Sequence, residues 1–112
     1  MKRTLMIAIA ALGLLLGATA CDDGDAVRTA IRQSFPDQYE KALAVAKCES
    51  GLNPEAVSPG GGNWGLFQIN TIHTSRVQSM GYSWDQITDP YVNSKVARSI
   101  YNEVGWSAWA CA

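Results

Sequence analysis

A glutamate among helix-ending residues is the first place in this chain where chemistry can be read. Glu49 lies in Cys48-Glu49-Ser50-Gly51-Leu52-Asn53-Pro54, and a second suggestive run, Gly65-Leu66-Phe67-Gln68-Ile69-Asn70, comes at short range after it. Upstream, Tyr39, Ala42, Leu43 and Ala46 recur at helical spacing and Glu49 falls next on the same stripe, the face a helix turns to its core. A charge there is disfavoured by loss of water. Gly51 suits a C′ position and Pro54 forbids continuation, so Glu49 belongs to the final turn, beside the partly negative carbonyl end of the helix. Desolvation and that dipole both favour the neutral acid. A carboxylic acid that keeps its proton near neutral pH can protonate a poor leaving group, such as a glycosidic oxygen, as its bond breaks. Taken alone, such a glutamate is more often a capping or ion-paired side chain; its neighbours decide.

Four helical segments are expected to hold these residues. Ala26, Val27, Ala30, Ile31, Ser34 and Phe35 repeat at helical spacing after Asp25 as N-cap, and Pro36 ends the segment. Asp37 with Glu40 three residues later has the form of a capping box opening a second helix that runs to about Ser50 and delivers Glu49. Pro54, Pro59 and Gly60-Gly61-Gly62 exclude regular structure between Asn53 and Asn63. Gly65 to Asn70 is read as a short strand or extended segment along a cleft floor. Thr71 is expected to cap a third helix through Arg76 to Met80, ended by Gly81, with Tyr82-Ser83-Trp84 as an aromatic loop. Asp89 as N-cap, Pro90 at N1 and Gly105 at C′ bracket the fourth helix. Its stripe runs Val92, Val96, Ala97, Ile100, Tyr101 and Val104, with Asn93 at the edge. The fold class expected is mainly α, a small helical domain with at most a short β element.

The 112 residues allow one domain, and part of the chain reads as an export signal. Lys2 and Arg3, the apolar run Leu5 to Gly17 and Ala18-Thr19-Ala20 form its three regions, giving a signal peptide over 1–20. The run is too short for a permanent membrane span. Cleavage there removes two of nine basic side chains and none of ten acidic ones, leaving a net charge of −3. A mildly acidic exported domain argues against a nucleic-acid partner. Cys21 stands where a lipoprotein's acylated cysteine would stand, although Ala18 occupies the position three before it, where Leu is usual. With three cysteines in an exported chain one is left over, and lipid attachment to Cys21 accounts for it more simply than plain secretion with a free or intermolecularly paired thiol; both readings stay open. The remaining pair, Cys48 and Cys111, would close most of the folded domain in a single disulfide worth about 4 kcal/mol by loop-closure entropy. The expected division is an acidic segment and short helix over 21–36 and the main domain over 37–112.

Several of these residues together resemble a known family. Glu49-Ser50, Asn53-Pro54, Ala56-Val57-Ser58, Gly65-Leu66-Phe67-Gln68-Ile69 and the later Asn93 and Tyr101 are similar to the catalytic domain of the soluble lytic transglycosylases, in the lysozyme-like superfamily. Cys48-Glu49-Ser50-Gly51 and Gly105-Trp106-Ser107-Ala108-Trp109-Ala110-Cys111 also resemble resuscitation-promoting-factor domains, whose corresponding cysteines are disulfide-bonded. The resemblance implies that Glu49 protonates the bond between N-acetylmuramic acid and N-acetylglucosamine in peptidoglycan. The same side chain would then take the C6 hydroxyl proton, so that O6 attacks the anomeric carbon and leaves a 1,6-anhydro end. It implies further that Ser58 bonds Glu49 or the N-acetyl group, that Gln68 and Asn70 line the cleft, and that Tyr101 steadies Glu49.

Animal-type lysozymes carry a second, ionised carboxylate two residues before the corresponding glycine, and here that position is Asn63. Its absence favours stabilisation of the anomeric carbon by the substrate's own 2-acetamido group. Glu55, Asp85 and Asp89 remain as other carboxylates, with Asp89 better explained as a cap. A water-using muramidase and a non-catalytic glycan-binding lipoprotein are the alternatives. Trp64, between the glycine-rich loop and the cleft segment, is expected to touch glycan, whereas Trp106 and Trp109 are assigned to packing around the disulfide. His73 is the sole histidine, expected on a helix surface, and no metal or cofactor is implied. The expected partners of this monomer are peptidoglycan strands and, through a lipid on Cys21, the membrane.

Overall fold

The computed structural model describes residues 24–112. The expected signal segment and Cys21 lie outside the described residues. Four α-helices surround one small antiparallel β pair: α1 over 24–34, α2 Tyr39–Ser50, β1 Asn63–Trp64, β2 Ile69–Asn70, α3 Thr74–Ser79 and α4 Pro90–Val104. None of the described helices is long and apolar enough to cross a membrane.

Helix α1 turns Val27, Ala30 and Ile31 inward, and Phe35 joins them in the same core. Gly24 is already helical, so Asp25 lies within α1 and not at its N-cap. The expected capping box at α2 does not form either. Gln38 is the N-cap and makes no capping bond, because Asp37 is drawn 2.6 Å from Arg98 of α4 in an ion pair. Helix α2 buries Ala42, Val45 and Ala46 and stops where Gly51 enters the left-handed region, φ 66°, as its sequence predicts.

Helix α4 is the central rod of the domain. Asp89 accepts from the N–H groups of Tyr91 and Val92, and Pro90 opens the helix, so its expected start is confirmed. Val92, Asn93, Ser94, Val96, Ala97 and Ile100 are buried along it. Val104, expected on that stripe, is instead 50% exposed, since Gly105 turns the chain and brings Trp106 against the core in its place.

That turn folds the C-terminal tail back over the molecule. Trp106 stacks on Phe35 with ring centroids 5.3 Å apart, and Trp109 meets Trp106 at 5.5 Å and Phe67 at 6.2 Å. The indole N–H of Trp109 donates to the Phe67 carbonyl at 2.9 Å. Both tryptophans thus pack as expected, but on Phe35, Phe67 and Tyr101 more than around the sulfurs. The tail is then fastened by the Cys48–Cys111 disulfide, Cα atoms 6.0 Å apart.

The run from Gly65 to Asn70 is mostly turn. Only its last two residues are strand, with Asn63 opposite Asn70 and Trp64 opposite Ile69, because Gly65 and Gln68 both have positive φ and fold the chain back. Asn70, and not Thr71, is the capping residue here: its side chain accepts from the Ile72 N–H at the head of a 3-10 turn over Thr71–His73. That turn runs directly into α3.

Candidate active site

Glu49 ends α2 half-buried. Its Oε2 accepts a long hydrogen bond, 3.4 Å, from the backbone N–H of Cys111. The disulfide brings the two within reach, because Cys48, the residue before Glu49, is bonded to Cys111 itself. One end of the carboxylate is therefore fixed by the tail. Ser50 turns its hydroxyl back to the Ala46 carbonyl at 3.0 Å, which finishes the helix without engaging Glu49.

Beside the tail lies a hollow of about 370 Å³. Its polar wall is Asn63, Gln68, Asn70 and His73, and Ile72, Ile100 and Trp109 supply apolar wall. Trp109 ties the hollow to Glu49, since two residues further on the same tail reaches the carboxylate. Among the described residues, no Asp or Glu lines this hollow. Gln68 and Asn70 are among its lining residues.

The hollow's polar groups are braced from behind. Asn70 Nδ2 donates to Asn63 Oδ1 at 3.0 Å across the β pair, and Asn63 donates from its backbone N–H and from Nδ2 to the Ser58 hydroxyl at 3.0 and 3.4 Å. Ser58 thus supports Asn63; a bond to Glu49 is not among those it makes here. Gln68 holds a left-handed backbone, φ 48°, a conformation uncommon for residues other than glycine and concentrated at functional sites. Its Nε2 donates to the carbonyls of Ala56 and Gly65 at 3.2 and 3.1 Å.

Asn93, at the edge of the expected stripe, is fully buried and governs the turn. Its Oδ1 accepts from the Phe67 N–H at 2.8 Å, while Nδ2 donates to the carbonyls of Trp64 and Ile87 at 3.0 and 2.9 Å. Every polar atom of this buried carboxamide is satisfied, as burial demands.

Two expected site residues stand elsewhere. Tyr101 accepts from Gln38 Nε2 at 2.9 Å and packs 4.8 Å from Trp106, so it secures the start of α2 and not Glu49. Trp64 donates from its indole N–H to the Gly61 carbonyl at 2.8 Å and sits edge-on to Trp84, outside the lining of the hollow. The residues missed from sequence are Ile72, His73 and Ile100. His73 is half-buried on the wall, with burial first and the Arg76 charge second lowering its pKa against the opposing pull of Glu103. Among the described residues no cluster of three or more His, Cys, Asp or Glu could hold a metal ion.

A small helical domain with a half-buried carboxylate at a helix end, joined through the C-terminal tail to a carboxamide-lined hollow, is of the lysozyme-like class. The chain belongs to the Transglycosylase SLT domain family, which it matches over residues 29–105, a span that takes in the second half of α1 and the site residues from Glu49 to Ile100, the tail residues Trp109 and Cys111 lying beyond it. Protein IpgF of Shigella flexneri is 33% identical over 103 residues, covering 83% of this chain and 64% of that protein. Lysozyme P of Drosophila melanogaster is 31% identical over 87 residues, covering 66% of this chain and 62% of the relative. Invasion protein IagB of Salmonella typhimurium is 34% identical over 74 residues, covering 62% and 46%. The chain thus spans less than two thirds of these relatives. No solved structure gives a significant match.

Proposed function

We propose that this domain cleaves the β-1,4 bond between N-acetylmuramic acid and N-acetylglucosamine in peptidoglycan, with Glu49 as the acid and then the base. Glu49 gives its proton to the leaving O4 as the bond from C1 breaks. The substrate's 2-acetamido oxygen stabilises C1, the carboxylate takes the proton of the C6 hydroxyl, and O6 closes on C1. The proton returns to Glu49 and no water is consumed. The observation that carries this reading is a half-buried Glu49 held by the same tail whose Trp109 lines the hollow, the hollow's polar wall holding carboxamides and a histidine and no carboxylate. Asn63, in the place of that carboxylate, is engaged with Asn70 and Ser58, which supports a substrate-assisted route over one using a protein anion. The similarity to Lysozyme P favours hydrolysis as the second reading.

The same reading takes the protein as an exported monomer working on wall glycan, with 1–20 removed and Cys21 lipidated. Similarity to a protein named for invasion is compatible with work outside the cytoplasm. Mass spectrometry of muropeptides after digestion of purified peptidoglycan tests the chemistry. Anhydro-ended products are expected, with a loss of about 10²–10⁴-fold for Glu49→Gln. Reducing-end products would move the assignment to a muramidase, and full activity of the variant would remove Glu49 from the mechanism. Fractionation of the producing cells reads the anchor, since Cys21→Ser should release the protein from membranes.

A further inference from the structure

His73 stands on the wall of the hollow, yet nothing in the proposed chemistry uses it. Its Nδ1 faces Arg76 Nε at 3.4 Å. The rest of that guanidinium is held by α4, with Nη1 donating to Ser99 Oγ at 2.8 Å and Nη2 paired with the Glu103 carboxylate. A guanidinium N–H can only donate, so Nδ1 must accept and the proton of the neutral ring sits on Nε2. Burial and the Arg76 charge keep the ring neutral to lower pH than an exposed histidine, with Glu103 as the one charge pulling the other way.

The other side-chain nitrogens of the wall each donate at least one hydrogen bond, Asn70 and Asn63 Nδ2 each keeping a second hydrogen. Gln68 Nε2 donates to Ala56 and Gly65, Asn70 Nδ2 to Asn63, Asn63 Nδ2 to Ser58 and the Trp109 indole to Phe67. The imidazole Nε2–H is the one ring or indole N–H of the wall without a partner among the described residues. Ile72, immediately before it, is 79% exposed on the same wall. A donor beside an exposed aliphatic surface matches an acetamido group, which presents one carbonyl oxygen and one methyl.

Building on the peptidoglycan reading, we propose that His73 and Ile72 form an N-acetyl recognition pair in the hollow: the Nε2–H donates to the acetamido carbonyl and Ile72 covers its methyl. Arg76 is a positioning residue that fixes the tautomer. With only one histidine in the chain, nitrogen-15 NMR of the imidazole tests this directly. The free protein should show the Nε2–H tautomer at neutral pH. The N-acetylglucosamine trimer should move the His73 Nε2 and Ile72 methyl signals, and the de-acetylated glucosamine trimer should not. His73→Leu should weaken binding of the acetylated trimer about 10-fold and raise KM with little change in kcat, about what one hydrogen bond supplies. His73→Gln, which restores a donor, should recover part of the loss. An Nδ1–H tautomer overturns the proposal, as does a trimer that shifts the Gln68 and Asn70 amides and leaves His73 unmoved. A trimer that shifts none of these in the folded protein overturns the glycan reading of the hollow itself.

Discussion

At Gly65 the backbone φ is 81°, and an added Cβ would lie 2.2 Å from Asn93 Nδ2 and 3.1 Å from the Ile87 carbonyl. Neither neighbour can withdraw, because Asn93 is buried and holds three backbone groups at once. Gly65→Ala should therefore cost about 3 kcal/mol, from the left-handed backbone and the displaced carboxamide together. Asn93→Ala should cost a similar amount by leaving buried N–H and C=O groups unpaired. Denaturant unfolding reads both, and a Gly65→Ala variant as stable as the parent would show that the contact is not as close as described. At this scale the sequence was informative where a residue conflicted with its surroundings. Glu49 could be read because it interrupts an apolar stripe just ahead of Gly51. His73 and Ile72 carried no such signal, since their wall is completed by Ile100 and Trp109 from distant parts of the chain. The partner of Tyr101 is hidden for a related reason. Helix α4 was correctly bounded, but the partner of a hydroxyl on its surface depends on where Gln38 falls after tertiary packing.

Among the described residues, two ion pairs that local pattern could not foretell tie helices together. Asp37, at the entry to α2, is bonded to Arg98 of α4, and Arg76 of α3 is paired with Glu103 of α4. The Asp37 pKa is lowered chiefly by the hydrogen bond from Arg98, and that of Glu103 chiefly by the bond from Arg76. A carboxyl with a lowered folded pKa stabilises the fold above its unfolded value and loses that contribution as pH falls through the folded one. The lowered pKa of His73 acts in the same direction from a higher start. The unfolded imidazole takes its proton near the ordinary value of about 6.5, while the folded ring still excludes it. Stability should accordingly begin to decline as pH drops below about 6.5 and decline again below the ordinary carboxylate range near 4. Thermal unfolding across that range checks both steps. Asp37→Asn should flatten the lower step, and an unchanged acid profile in that variant would assign the loss to other groups. The Asp37 capping box was a plausible local reading that lost to this long-range pair. The Asp89 cap held because Pro90 and the next two N–H groups satisfy it within a few residues.

For the molecule as a whole the disulfide is a covalent constraint joining residues 63 apart. The paired substitution Cys48→Ser, Cys111→Ser should cost about 4 kcal/mol through loop-closure entropy, and calorimetry can measure it. Because the same bridge brings the Cys111 N–H to Glu49, the variant should also lose activity under conditions where it remains fully folded. Equal activity at equal folded fraction would make the bridge a staple alone. The mainly helical architecture and the bridge were legible because four periodic segments ended by Pro or Gly and an even remainder of cysteines bound them. The hollow was not, because a two-residue β pair, two left-handed residues and a returning tail build it, and none of these leaves a periodic trace. The tail has one more effect, on timing. If the chain is made and exported from its N-terminus, as the proposed reading has it, Glu49 emerges long before the amide 62 residues later that bonds it. Until that segment has emerged and the two thiols have been oxidised, the carboxylate lacks its anchor, and oxidation belongs to compartments outside the reducing cytoplasm. On the proposed reading the fold thus contains its own delay, keeping a wall-cutting site unassembled in the cell that makes it until the protein reaches the wall.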